Sequence, residues 1–232
     1  PRALAFDPAG DLIVVGSTLG VARVFRVGAD DGSVEVVYSW SGAPIPPPAL
    51  MGPRAVGVDA AGNVYVVGAV SQQVVRFAPD GTQAVVIDGS GDGVNGLANP
   101  QGLAVHPDGT VYVSGLNSRN VFRVDPDGTI TRVFTASTDL TCNDTGDVFI
   151  ARGSGAYVVK PWGQILQLVD ATGDGTGTNT LSVASSIAAD AAGNVWVCGA
   201  VSDNAYHVSP SGVVTQILDA SGYGVHGRHV NL

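Results

Sequence analysis

The stretch Pro100–Phe134 reads PQGLAVHPDGTVYVSGLNSRNVFRVDPDGTITRVF. It contains four short runs, Gly102–Val105, Thr110–Ser114, Val121–Val124 and Ile130–Phe134. Valine, isoleucine, tyrosine and phenylalanine dominate them, as a pleated and packed surface prefers. The first and last breaks are Pro-Asp-Gly turns (Ala-Ala-Gly-Asn in other copies), where proline presets one dihedral and glycine supplies the positive one. The same unit recurs from Pro53 as PRAVGVDAAGNVYVVGAVSQQVVRFAPDGTQAVVID and through Ser186 as SIAADAAGNVWVCGAVSDNAYHVSPSGVVTQILD. It opens the chain as PRALAFDPAGDLIVVG and returns, worn down, from Leu140 as LTCNDTGDVFIARGSGAYVVKPWGQILQLVD. Aligned on the residue after the first turn glycine, the copies fall at Asp11, Asn63, Thr110, Asp147 and Asn194.

A repeat of that size made of short strands predicts one array of supersecondary units, not five independent domains. No stretch carries the 3.6-residue period of an amphipathic helix. The fold class expected is all-β, a β-propeller of four-stranded antiparallel blades. Radial stacking buries both faces of each sheet and leaves only short edges. The nearly all-apolar second strands Val64–Val67 and Val195–Val197 fit burial on both sides. A parallel β-helix is the second choice, with rungs usually shorter than these repeats. The expected organisation is a single propeller domain over 1–232, with repeats at about 1–52, 53–99, 100–136, 137–183 and 184–232. Five blades are visible. The tail GYGVHGRHVNL matches the loop before Pro100, so two alternatives stand: five blades that close directly, or a six-bladed propeller lacking one blade.

The composition narrows the partners. With 45% hydrophobic and 13% charged residues, the chain has ample core material, and its 32 glycines and 13 prolines sit mostly at turns. A net charge of −9, a single lysine (Lys160) and scattered arginines argue against a nucleic-acid partner, which needs a basic stripe. No apolar run approaches the roughly 18 residues of a membrane helix, so no membrane insertion is expected. No signal-peptide pattern opens the chain, and Pro1 is no initiator, so the sequence reads as a mature form or an excerpt. Cys142 and Cys198 replace small or apolar residues of the sister repeats, which favours buried free thiols over a disulfide.

The run Pro-x-Gly-Leu-Ala-Val-x-x-Asp-Gly-x-Val-Tyr-Val, a polar loop and then Val-Phe-Arg-Val-x-Pro-Asp-Gly resembles the NHL repeat of bacterial and animal propellers. The likeness covers nearly the whole chain. NHL repeats place aspartate after the Tyr-Val-Ala step and an Asn-x-Arg in the next loop. Here the aspartate position holds Gly16, Gly68, Gly115 and Gly199, and the arginine position holds Gln73, Asn120 and Asn204. The family's carboxylate–guanidinium ties are therefore missing. The resemblance also implies that loops joining strands two to three share one face with the loops joining blade to blade.

That face carries the candidate site. The first loop set contains Ser71-Gln72-Gln73, Asn117-Ser118-Arg119-Asn120 and Ser202-Asp203-Asn204. Two readings stand for them: a polar rim for a protein, peptide or glycan, or hydrogen bonds to neighbouring loops in place of the missing ties. The interblade loops, with Asp88 and Asp92, Asp170 and Asp174, and a third from Asp219 with Tyr223, are rich in aspartate and glycine. Calcium, which takes six to eight oxygens, is one reading and the one cofactor candidate. Aspartates capping their own turns are the other. The fourth repeat has a shortened loop and Arg152 in place of glycine, a candidate anchor for an anionic ligand, the alternative being a pair with a nearby aspartate.

His226 and His229 lie in a coil-like tail, unlike a metalloprotease helix. His106 and His207 fall where sister repeats carry aspartate or arginine and read as solvated. Trp40, Trp162 and Trp196 read as packing residues, Trp162 with the best chance of exposure. Pro44–Pro48 reads as a stiff surface flap, and Asn143-Asp144-Thr145 is a glycosylation sequon by pattern only. The function expected is a non-catalytic binding propeller, secreted, periplasmic or on a cell surface. The alternative is a metal-dependent lactonase or lyase, since gluconolactonase-like and streptogramin-lyase-like propellers look similar at the repeat level. Such enzymes need an acidic or histidine-bearing metal cage, and glutamate here is limited to Glu35.

Overall fold

The computed structural model describes residues 1–18, 21–40, 49–177 and 179–219. All regular structure among them is β, in five four-stranded antiparallel sheets, each a plain meander in chain order. The first sheet holds β1 (Ala3–Phe6), β2 (Leu12–Thr18), β3 (Val21–Val27) and β4 (Val34–Trp40). The second holds β5 (Pro53–Val58), β6 (Val64–Gly68), β7 (Gln73–Phe77) and β8 (Gln83–Ile87). The third holds β9 (Pro100–Val105), β10 (Val111–Gly115), β11 (Asn120–Val124) and β12 (Ile130–Thr135). The fourth holds β13 (Asp139–Cys142), β14 (Val148–Arg152), β15 (Gly155–Val159) and β16 (Ile165–Val169). The fifth holds β17 (Ala184–Ala189), β18 (Val195–Gly199), β19 (Asn204–Val208) and β20 (Val214–Leu218).

The chain divides into two compact units, Pro1–Ala136 with the first three sheets and Ser137–Leu232 with the other two. One stacking rule governs both. Alternate residues of a strand point to opposite faces, so β6 shows Val64 and Val66 on one face and Tyr65 and Val67 on the other. In the first unit, Ile13, Val15 and Val24 of sheet one meet Val64, Val66, Val75 and Phe77 of sheet two. The opposite face of sheet two, with Tyr65, Val67, Val74 and Ile87, meets Val111, Val113, Phe122 and Val124 of sheet three. In the second unit, Phe149, Ala151 and Val158 meet Val195, Val197, Tyr206 and Val208 in the same manner. First strands of neighbouring sheets lie side by side, β1 by β5, β5 by β9 and β13 by β17.

Local chemistry repeats as faithfully. Asp59 Oδ1 accepts from the amides of Ala61 and Asn63, and Gly62 sits at φ +80°. Asp7, Asn143 and Asp190 hold the equivalent turn the same way. Every sheet also shifts register between its third and fourth strands, at Val24/Phe25, Val74/Val75, Val121/Phe122, Ala156/Tyr157 and Ala205/Tyr206. Such bulges raise local twist, and their recurrence makes them part of the unit's design.

Candidate functional site: the strand-two to strand-three turns

Three turns share the pattern Gly-x-x-Ser-x-Gln/Asn: 68–73, 115–120 and 199–204. Each leaves the end of a second strand and enters a third. The residue after the serine, Gln72, Arg119 or Asp203, takes φ of +54°, +53° or +48°. That left-handed step costs an L-residue roughly 1–2 kcal/mol, so the surroundings must hold it. They do so with two bonds to the loop that enters the same sheet. Ser71, Ser118 and Ser202 Oγ accept from the amides of Met51, Ala98 and Ser182 at 3.1, 3.1 and 3.0 Å. The side-chain amides of Gln73, Asn120 and Asn204 donate to the carbonyls of Ala49, Gly96 and Thr180.

The same loop drops one leucine beneath the turn. Leu50, Leu97 and Leu181 are fully or almost fully buried. Their Cδ1 atoms, with the serine Oγ, occupy the space that a Cβ on Gly68, Gly115 or Gly199 would need. Glycine at these three positions therefore has a steric reason. Serine, amide and leucine together form a clasp that stands in for the carboxylate–guanidinium tie. Sequence reading missed the leucines. The signal was a Leu three residues before the start of the first strand in three repeats.

Of the eight predicted ligand contacts, Ser71, Gln73, Ser118, Asn120, Ser202 and Asn204 are therefore engaged inside the clasps. Asn120 and Asn204 are buried, where an unsatisfied amide costs about 1–3 kcal/mol. Of the two readings kept for these side chains, the hydrogen bonds are those of the brace to a neighbouring loop. Asn117 is exposed, with its backbone amide bonded to Ala98 O. Arg152 is exposed at the end of β14. Its hairpin is only Gly153-Ser154, and the segment entering sheet four is only 136–138, so sheet four carries no leucine–serine clasp. There Asp139 Oδ2 ties β13 to β17 by accepting from Ser186 Oγ and Ile187 N.

The aspartate–glycine loops are capped turns. Asp88 Oδ1 accepts from the Ser90 amide and hydroxyl, and Asp170 Oδ1 likewise from Thr172. Asp92 accepts from the amides of Val94 and Asn95 and from the Asn95 side chain. Asp174 takes Thr176 and Asn179. These bonds hold the Asp88, Asp92 and Asp170 carboxyls below the usual range, led by the Ser90 hydroxyl, the Asn95 amide and the Thr172 hydroxyl. For Asp174 burial pushes upward, and the Asn179 and Thr176 bonds bring the net shift down. Gly91 and Gly173 stand at φ +62° and +66° against the ring edges of Phe122 and Tyr206. Among the described residues no three His, Cys, Asp or Glu side chains converge as a metal cage. The geometry supports the capping reading.

With the polar groups turned inward, the turn tips carry apolar residues outward. Val70, Leu116 and Val201 are exposed on the three clasped turns. Val94, on the loop entering sheet three, is 90% exposed.

Other expectations resolve as follows. Cys198 is exposed rather than buried, on the face of sheet five turned away from sheet four, and Cys142 is half-buried; neither is in a disulfide. His106 and His207 are not freely solvated: His106 Nδ1 lies 2.8 Å from Asp108 Oδ1, and His207 lies against Trp196 and bonds Asn194. Trp162 is exposed. Asn143 is buried and its Oδ1 caps the turn, so the sequon's acceptor nitrogen is not presented. Pro44–Pro48, Tyr223, His226, His229 and the Trp40 side chain lie outside the described residues.

No family model matches this sequence, and no curated protein matches it. Solved structures do. Virginiamycin B lyase from Staphylococcus aureus superposes with a TM-score of 0.68 at 13% identity, over 93% of this chain and 69% of that one. A chain of the nidogen/laminin complex gives 0.65 at 15%, over 90% and 76%. A gluconolactonase from Xanthomonas campestris gives 0.57 at 21%, over 84% and 68%. The fold is a β-propeller. Its neighbours include enzymes as well as a chain of the nidogen/laminin complex.

Proposed function

We propose that this chain is a non-catalytic recognition propeller that takes a protein or peptide on the two clasped loops of its first unit. The observation that carries the reading is the inversion at the strand-two to strand-three turns. The clasp's own hydroxyls and amides are bonded inward, while Val70, Leu116 and Val201 project from turns held on both sides, next to the exposed Gln72, Asn117, Arg119 and Asp203. Single exposed apolar residues are ordinary. Here they recur at the tips of three equivalent turns, on a backbone already ordered by the clasp. An anchor presented that way loses little conformational entropy on binding, and apolar anchors ringed by polar loop atoms suit a protein surface better than a glycan. The strand ends where related folds place carboxylates are filled here by a seryl hydroxyl and a leucine methyl.

The test is peptide display against the immobilised chain, followed by affinity measurement on the Val70→Ser/Leu116→Ser double variant. Both substitutions lie on exposed tips, so the fold stays intact. The expected loss is about tenfold or more, the equivalent of roughly 1.4 kcal/mol. Unchanged affinity sinks the assignment to these loops. Chelator-sensitive turnover of lactone substrates by the parent chain would instead favour the lactonase or lyase reading.

A further inference from the structure

The junction of sheets two and three and the junction of sheets four and five each have a cleft at the end opposite the clasps, beneath the turn joining strands three and four. One side chain decides how full it is. The residue paired with the second position of each second strand is Arg26, Arg76, Arg123, Val158 or His207 in sheets one to five. Four of the five are basic side chains that can reach into the seam. Sheet four alone has an aliphatic one.

The two junctions can be compared residue for residue. Between sheets two and three the cleft is lined by Tyr65, Arg76, Ala84 and Val86 on one side and Gly109, Val124 and Pro126 on the other, and holds about 160 Å³. Between sheets four and five the equivalent walls are Phe149, Val158, Leu166 and Leu168 facing Gly193, Val208 and Pro210, and the volume is about 360 Å³. Tyrosine has become phenylalanine and arginine has become valine, so the larger cleft lacks that hydroxyl and guanidinium, and its polar lining is Asp147, Lys160, Ser209 and Ser211. Dry apolar cavities of roughly 150 Å³ take up benzene. The second cleft has room for a ring and a short tether.

Its mouth carries the only lysine of the chain. Lys160 Nζ sits 2.6 Å from Asp147 Oδ2, both side chains mostly covered, and both line the cleft. One of three ammonium N–H bonds is thus taken. The charge is balanced by its partner, and the chain as a whole carries −9, so a second anion gains little there. An uncharged acceptor suits the remaining donors.

We infer that the cleft between sheets four and five, walled by Phe149, Val158, Leu166, Leu168 and Val208, binds a small molecule with an apolar body and an uncharged carbonyl head, the carbonyl accepting from Lys160. This site is separate from the clasped loops, and each stands or falls without the other.

The experiment uses 4-phenylbutyramide as the probe, titrated calorimetrically into residues 1–232, with 4-phenylbutyrate as the charged comparison. Val158→Arg restores the side chain that sheets one to three already carry, and Val158→Phe fills the same space without charge; thermal melts establish that each variant folds. Both should weaken amide binding by about tenfold or more, the scale of filling a site that admits one ring. Lys160→Met should weaken the amide by about tenfold, as loss of one charge-assisted hydrogen bond predicts. If both Val158 variants fold and bind the amide as the parent does, or the parent shows no binding at all, the site is refuted. If Val158→Arg alone misfolds, Val158→Phe decides. Carboxylate binding more than tenfold tighter than amide binding overturns the uncharged head, and an unaffected Lys160→Met overturns the role of the lysine.

Discussion

Sheets two, three and five end their second strands in clasped turns, while sheet four ends its second strand in a two-residue hairpin. The repeat is otherwise the same: four antiparallel strands, a capped first turn and a bulge before the fourth strand. What differs is the loop that enters the sheet. Where it is long, it supplies a leucine and a carbonyl, and the turn supplies glycine, serine and an amide to receive them. Where it shrinks to 136–138, all of these vanish together and Arg152 takes the glycine's place. The clasp is one unit shared between a loop and a turn, and sheet four lacks every part of it.

The hardest blow to that comparison is Leu97→Ala. It empties a fully buried site under a clasped turn and should cost about 3 kcal/mol, within the range for buried leucines. Ser154→Ala, on the exposed hairpin of sheet four, should stay within about 0.5 kcal/mol. Urea unfolding of the two variants reads both, and equal costs would dissolve the distinction.

Asn120→Ala tests the polar half of the clasp. Removing the buried amide breaks its part-buried bond to Gly96 O, at a cost of about 1–2 kcal/mol. Hydrogen exchange should rise first in the loop that enters sheet three. Exchange that rises uniformly would mean that the amide serves the sheet and not the loop.

The smallest effect is electrostatic. Asp88, Asp92 and Asp170 have carboxyls held below the ordinary value by bonds that favour the charged form. Their contribution is complete above the ordinary aspartate value of about 3.9. It fades as pH falls through the lower folded-state values. A carboxyl-carbon NMR titration should place all three midpoints below about 3.9. A midpoint at or above that value would mean the cap is not formed in solution.

The architecture was legible because its signals are local. Val64–Val67 is apolar on both faces and buried on both faces, and Pro-Asp-Gly turns fall where the strands break. The absence of the family's aspartate and arginine was legible too, and hydrogen bonding to a neighbouring loop was one of two readings kept for the replacements. Asn120 and Asn204 could not be assigned from sequence, because a buried amide and a rim amide have the same letter. Their partners lie 24 residues upstream. Cys198 was misjudged for a related reason. It sits in a strand like its buried counterparts, but on the face of sheet five turned away from sheet four.

The amino-acid sequence alone determined the repeat, its strands and the class of fold, since period-two patterning and turn chemistry act over a few residues and need no distant partner. Tertiary structure decided which polar groups face inward, why Gly68, Gly115 and Gly199 admit no side chain, and that Val158 opens a cleft which Arg76 partly fills in the sister junction. Those outcomes depend on register and on contacts between adjacent sheets, where a single methyl or hydroxyl occupies space that no linear pattern reveals.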